Sequence, residues 1–270
     1  MNGRWPTTLR LGAGIVLLWL LVALLAPWLA PAEPNAIDLD NVLRPPGDGW
    51  LMGTDHVGRD ILSRVIFAAR IDLWMGFLGV LAPLSIGVAI GLFAGYFGGL
   101  LDSITMRMVD ITLAFPFLIL VLAIVAMLGP GIANFIIALA LVGWVSYARL
   151  IRAEVMVIRS AEYVQAARTL GFSSPVIVFH HVLPNAVSPI VVYAMTDMVL
   201  VVLAGAGLGF LGLGVQPPTA EWGAMIADGQ AYISEAWWIS FFPGLAAVSF
   251  GVGLSLIGDG LARILRIGDL

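Results

Sequence analysis

Six apolar runs divide this chain, at about residues 11–29, 73–97, 111–128, 132–148, 188–213 and 237–261. Each is close to the roughly 20 residues that a helix needs to cross the hydrocarbon core of a bilayer. The pattern predicts an all-α integral membrane protein with six transmembrane helices. Between the first two runs lies the longest polar stretch, 31–72, rich in Pro, Gly and acid, with a short helix expected over residues 59–70 at the membrane interface. The chain thus reads as an N-terminus and first anchor over 1–30, an extracytoplasmic segment over 31–72, and a five-span core over 73–270 that carries a polar loop at about 152–187.

Composition agrees with this reading. The 270 residues are 60% hydrophobic and only 11% charged, and the mean hydropathy is +1.01, outside the usage of soluble domains. All 13 basic residues are Arg. Without Lys there is no P-loop, whose motif needs it. A net charge of −4 excludes a nucleic-acid footprint, and with no Cys there is neither disulfide nor thiolate site.

Arginine also orients the chain, because short cytoplasmic loops retain positive charge. With the N-terminus inside, nine arginines are cytoplasmic: Arg4, Arg10, Arg107, Arg149, Arg152, Arg159, Arg168, Arg263 and Arg266. Outside are Arg44, Arg59, Arg64 and Arg70, accompanied by Glu33, Asp38, Asp40, Asp48, Asp55, Asp60 and Asp72. Both termini are therefore expected in the cytoplasm. The first run has a rival reading as a secretory signal, given Arg4, Arg10 and Ala30-Pro31-Ala32, but its 19 apolar residues exceed a signal core and favour a retained anchor.

Several residues carry candidate chemistry. Gly87, Gly91, Gly95 and Gly99, spaced four apart, share one face of the second span and predict close contact with another helix. Asp197, within the fifth span, should face protein or water rather than lipid; it is either a wall residue of a translocation path or a structural carboxyl. Gly207–Gly212 spells GxGxxG, but without a preceding strand it reads as helix packing. His180 and His181 would splay about 100° apart on a helix, so they do not aim at one metal. His56, near Asp55 and Asp60, reads as a turn before a capped helix. No Ser-His-Asp set, carboxylate pair or HExxH is present, so neither a catalytic nor a metal site is expected.

The polar insert EYVQAARTLGFSSPVIVFHHVLPN, residues 162–185, interrupts the apolar chain. Residues 152–170 predict a helix that ends at Gly171 as a left-handed cap. Ser173-Ser174-Pro175 predicts an N-cap with Pro at the first helical turn of a second helix, which runs to Leu183 before Pro184. Short helices in water are marginal without packing, so this elbow implies a docking partner.

Glu162, Ala166, Ala167 and Gly171, followed by Leu183-Pro184, resemble the EAA loop of permease subunits in ABC importers. GTDHVGRDILSRVIFAARIDL, FLGLGVQPPTAEWGAMIADG, FFPGLA and LIGDGL are similar, in order, to segments of the dipeptide, oligopeptide and nickel permeases. Ala68, Asp72 and Gly205 depart from that pattern, at positions where relatives often have Gly, Ser and an acid.

The resemblance implies a type I ABC importer (MetI-like) permease core with an extra N-terminal span. It further implies a second, homologous permease, two cytoplasmic ATP-binding cassette ATPases that hold ATP and Mg, and an extracytoplasmic solute-binding protein delivering short peptides. No cofactor is then expected in this chain. Glu162, Ala166, Ala167, Arg168 and Gly171 would couple to the ATPase, Arg168 through surface ion pairing, and Asp197 would belong to the path. Asp55, Arg59, Asp60 and Trp222 are expected to contact the binding protein, with Trp222, Trp237 and Trp238 anchoring at the interface. An ion-coupled secondary transporter, favoured by Asp197 and a Gly-rich fifth span, an importer of nickel or another small solute, and a membrane scaffold without transport are the rival readings.

Overall fold

The computed structural model describes residues 5–47 and 49–267. Arg4 and Asp48, both used in the charge argument, lie outside the described residues, as does the side chain of Arg266. The described chain is helical, without strands. Helix α1 spans Thr7–Leu24 and a short α2 spans Ala26–Leu29. An irregular segment then leads to α3, Ile61–Phe97.

At 37 residues, α3 is about 55 Å long, well beyond a bilayer core of about 30 Å. Asp60 caps it, accepting from the backbone N–H of Ser63 at 2.8 Å, and neither Gly nor Pro interrupts the next turns. The interfacial helix expected over residues 59–70 is therefore not a separate element. It is the first third of the second span, and the expected boundary at residue 72 falls inside a continuous helix.

The next run is broken. Helices α4, Gly99–Leu113, and α5, Phe117–Leu128, are bent by 87° at the intervening residues. Pro116 disfavours helical backbone at Phe115 and restarts the chain as the cap of α5. Among the described residues five helices are long and apolar enough to cross a membrane alone, and six spans result if the bent pair is one. Helix α6, Ile132–Ile158, is followed by α7, Glu162–Thr169. A one-turn α8, Ser174–Val176, and a π-helical segment, Ile177–Val182, run without interruption into α9, Leu183–Phe210. Helices α10, Trp222–Gln230, and α11, Trp238–Ile267, complete the fold.

Helix α3 packs along α6 with almost no side chain between them. A Cβ at Gly87 would sit 2.3 Å from the carbonyl oxygen of Trp144, one at Gly91 2.3 Å from that of Ala148, and one at Gly95 3.1 Å from that of Arg152. Lipid tails are as apolar as leucine, so helices in a bilayer associate through such close van der Waals contact. Gly99 is different: with φ of +63° and open space around it, it forms the turn into α4 with Gly98. The predicted stripe is thus three glycines of contact and one of turn.

Helix α1 rests on α11 in the same manner, with Gly12 against the backbone of Gly253 and Gly260 against Leu9. Trp19 Nε1 donates to Ser249 Oγ at 3.0 Å.

Gly91→Ala should destabilise the protein by about 1–3 kcal/mol, the usual cost of overpacking. Gly207→Ala, where a Cβ meets nothing within 4 Å, should be neutral or gain about 0.5–1 kcal/mol from helix propensity. Thermal unfolding of the detergent-solubilised protein checks the pair.

Candidate functional site

The elbow between α6 and α9 is built on the membrane core. Where α6 ends, Arg159 Nη1 donates to the carbonyls of Gly95 at 2.7 Å and Tyr96 at 3.3 Å, fastening the turn to the end of α3. Gln165 Nε2 reaches back to the carbonyl of Arg159 at 2.8 Å. Helix α7 is amphipathic: Val164 and Ala167 are buried in the main hydrophobic cluster, while Glu162, Tyr163, Gln165, Ala166 and Arg168 face outward. Glu162 in the first turn and Arg168 in the last both suit the helix dipole.

Gly171 closes α7 at φ +82°. Its N–H donates to the carbonyl of Arg168 at 3.0 Å, and that of Phe172 to the carbonyl of Ala167 at 3.1 Å, which is the two-bond Schellman closure. Arg168 stacks its guanidinium over the Tyr96 ring, 5.1 Å from the centroid, and forms no ion pair among the described residues. Beyond the cap, Leu170 is 77% exposed and Phe172 and Phe179 are half exposed, a small apolar patch at the tip.

The second limb differs from expectation. Ser173 makes no side-chain cap, and the helix does not stop before Pro184. Pro184 lies in the first turn of α9, and the preceding backbone adopts wider π turns, with the Leu183 N–H bonded to the Val178 carbonyl, so the missing donor and ring of proline are accommodated. A 37-residue helical run joins the elbow to the membrane. His180 is exposed and His181 packs on Phe172. Among the described residues no cluster of three metal-ligating side chains occurs.

Inside the membrane, Tyr147 of α6 donates its hydroxyl to Asp197 Oδ2 of α9 at 2.6 Å. Tyr147 is fully buried, and the Tyr193 ring packs edge-on against it at 5.1 Å. Asp197 is half-buried, so the bond braces the two helices that carry the elbow while the carboxylate keeps an exposed side. The sequence offers one signal for Tyr147: with Ser146 it places hydroxyls at the end of the apolar run over 132–148.

The four expected receptor contacts are internal, and that assignment is corrected. Asp55, Arg59, Asp60 and Trp222 are all buried. Asp55 Oδ1 accepts the backbone N–H groups of Val57 at 3.0 Å and Arg59 at 2.9 Å, and its Oδ2 pairs with the Arg59 guanidinium. Arg64 stands 3.9 Å from the same carboxylate and donates to the Pro34 carbonyl at 3.1 Å. Asp60 caps α3. Trp222 Nε1 donates to the Val65 carbonyl at 3.1 Å, and its N–H to Asp72 Oδ2 at 3.1 Å. Charges from the polar segment before α3 are here paired with each other, forming a clasp that ties residues 53–60 to α3 and α10. His56, beside them, stacks on Tyr232. Of the three anchor tryptophans only Trp237 is open, at 48%; Trp222 and Trp238 are buried.

Residues 87–266 match the family described as binding-protein-dependent transport system inner membrane component, and residues 9–46 match the N-terminal TM domain of oligopeptide transport permease C. The chain is 43% identical over 253 residues to the probable D,D-dipeptide transport system permease protein of Escherichia coli K12, covering 94% of this chain and 85% of that one. It is 44% identical over 256 residues to the di/tripeptide transport system permease protein of Pseudomonas aeruginosa UCBPP-PA14, covering 93% and 84%. Among solved structures, an inward-facing MetNI methionine ABC transporter superposes with a TM-score of 0.61 over 77% of this chain and 97% of that chain, at 21% identity, a likeness of fold.

Three substitutions probe this geometry. Asp55→Ala leaves two buried guanidinium groups without their shared counter-charge and should cost about 3–5 kcal/mol, read as loss of folded protein in detergent. Tyr147→Phe removes the brace at constant shape and should cost about 1–3 kcal/mol. Asp197→Asn, which keeps an acceptor oxygen, should cost less in the same thermal assay.

Proposed function

Because the chain belongs to the family of binding-protein-dependent transport system inner membrane components, we propose that it is one permease subunit of an ATP-driven importer of short peptides. The observation that carries this reading is the likeness along nearly the whole chain to permeases described as serving dipeptide and di/tripeptide transport. One copy supplies half of a path, so a second, homologous permease completes it. ATP and Mg belong to two ATPase subunits in the cytoplasm, an extracytoplasmic solute-binding protein delivers the peptide, and this chain catalyses no reaction. Both termini and the elbow lie on the cytoplasmic side, where nine of the arginines then gather.

The elbow is the seat of the ATPase. Glu162, Ala166 and Arg168 present the docking surface. Ala167 turns the other way and seats the helix, and Gly171 sets the angle of the chain leaving it. Leu170 and Phe172 project from the tip as apolar knobs of the kind that a partner groove covers. When the ATPases close, the load enters α7 and passes through its buried face into α6 and α9, so that the membrane helices rock between two packed states. The exposed side of Asp197 faces the path, with Tyr147 fixing its position.

Gly171→Pro tests the coupling. Proline cannot adopt φ +82° and removes the N–H that closes the helix. In proteoliposomes holding the complete importer, peptide uptake should fall by at least about tenfold, roughly 1.4 kcal/mol in the barrier, while ATP hydrolysis continues and the spans remain inserted. Uptake at the unmodified rate would remove the elbow from the mechanism. Recovery of ATP-binding subunits on affinity purification, and calorimetric binding of dipeptides to the cognate receptor, test the partner and the cargo separately.

A further inference from the structure

A second site lies on the flank of the bundle. A cavity of about 500 Å3 opens between α1, α3, α9 and α11, and its lining is apolar apart from Arg70. Leu20 of α1 walls one side, Met198 of α9 and Leu254 of α11 form the floor, and Arg70, Trp74 and Phe77 of α3 form the other wall. The last three are spaced i, i+4 and i+7, so they make one stripe along the helix, with the Trp74 and Phe77 rings edge to face at 6.1 Å.

Arg70 is set apart from its neighbours. Arg59 and Arg64 are buried on Asp55 and on backbone carbonyls. Arg70 is exposed and has neither a hydrogen bond nor an ion pair among the described residues. The nearest acid in sequence, Asp72, is buried and committed to the Trp222 N–H. Arg70 stands three residues before the apolar run at 73–97, and Trp74, 63% exposed, follows it one turn later in the manner of an interfacial aromatic.

We propose that this groove binds an anionic glycerophospholipid, with the phosphate on Arg70, the glycerol region against Trp74, and one acyl chain in the slot beneath. Cation, aromatic ring and apolar slot follow one another along α3 in the order in which phosphate, glycerol and acyl chain follow one another in such a lipid. A guanidinium pairs with a phosphate through charge-assisted, bidentate hydrogen bonds. A protein helix fits less well, because one about 10 Å across fills roughly 400 Å3 in a single turn, so the slot would seat little more than one turn. The inference rests on the chain's place in a membrane and not on its cargo or its coupling role, so it stands or falls separately from them.

The test uses the full-length chain with its co-purifying subunits in nanodiscs. Phospholipid carrying a photoreactive group in its acyl chain is supplied with a phosphatidylglycerol or a phosphatidylcholine headgroup, and labelled peptides are read by mass spectrometry. Peptides containing Leu20 and Met198 should be labelled about fivefold more by the anionic probe, the effect of one basic residue at a charged surface. Arg70→Gln should abolish that preference while labelling near the exposed Leu118 stays unchanged. Leu20→Trp, which fills the slot, should reduce labelling by both probes. Equal labelling by the two headgroups, or a groove shielded from both because a partner subunit covers it, would overturn the proposal.

Discussion

The contact on which the rest of this structure depends is backbone against backbone, where α3 lies on α6 at Gly87, Gly91 and Gly95. Where a Cβ would stand 2.3 Å from a carbonyl oxygen, no side chain larger than hydrogen fits without moving a helix. The consequences reach outward from that line. Tyr147 emerges beside Gly87 and from there meets Asp197 on α9. Arg159, further along α6, finds the carbonyls of Gly95 and Tyr96 because the same proximity brings the end of one helix to the end of the other. Three helices are thereby held in one register by features that are individually small.

That register gives the elbow something to push against. An eight-residue helix such as α7 would not persist alone in water. It persists through Val164 and Ala167 in the main cluster, the Schellman closure at Gly171, and the continuous helical run from Ser174 to Phe210. Its outward face keeps small, polar and a few large apolar groups for a partner. Sequence position and packing thus agree on a lever fixed at its base, which the proposed mechanism requires.

How much of this could be read from the residues alone depends on what kind of signal carried it. Apolar run length is a strong signal in a bilayer, so the spans emerged close to their observed places. The left-handed cap at Gly171 and the glycine contacts followed from chemistry that few other residues can supply. Exposure was the weak inference. Asp55, Arg59, Asp60 and Trp222 looked like surface because they are polar or amphipathic and lie in a loop, yet polarity does not decide exposure when the partners are adjacent. Asp55 and Arg59 satisfy each other at four residues' distance, and Asp60 is consumed as a cap. Pro184 was read as a stop, but the wider π turns that precede it accommodate the missing donor and the ring, so the helix continues through it. The 87° bend between α4 and α5 was hidden for the opposite reason: the apolar run continues through Phe115-Pro116, and hydropathy does not register direction.

The central claim is that α7 moves with α6 and α9 as one body, and the chain's lack of cysteine makes that measurable. Spin labels at Gln165→Cys on the outward face of α7 and Leu141→Cys on the exposed side of α6 would report their separation in the assembled importer by double electron–electron resonance. The account predicts the same narrow distance distribution without nucleotide and with ATP trapped. A distribution that shifts or broadens between the two states would mean that the elbow pivots on the core, and would contradict the account.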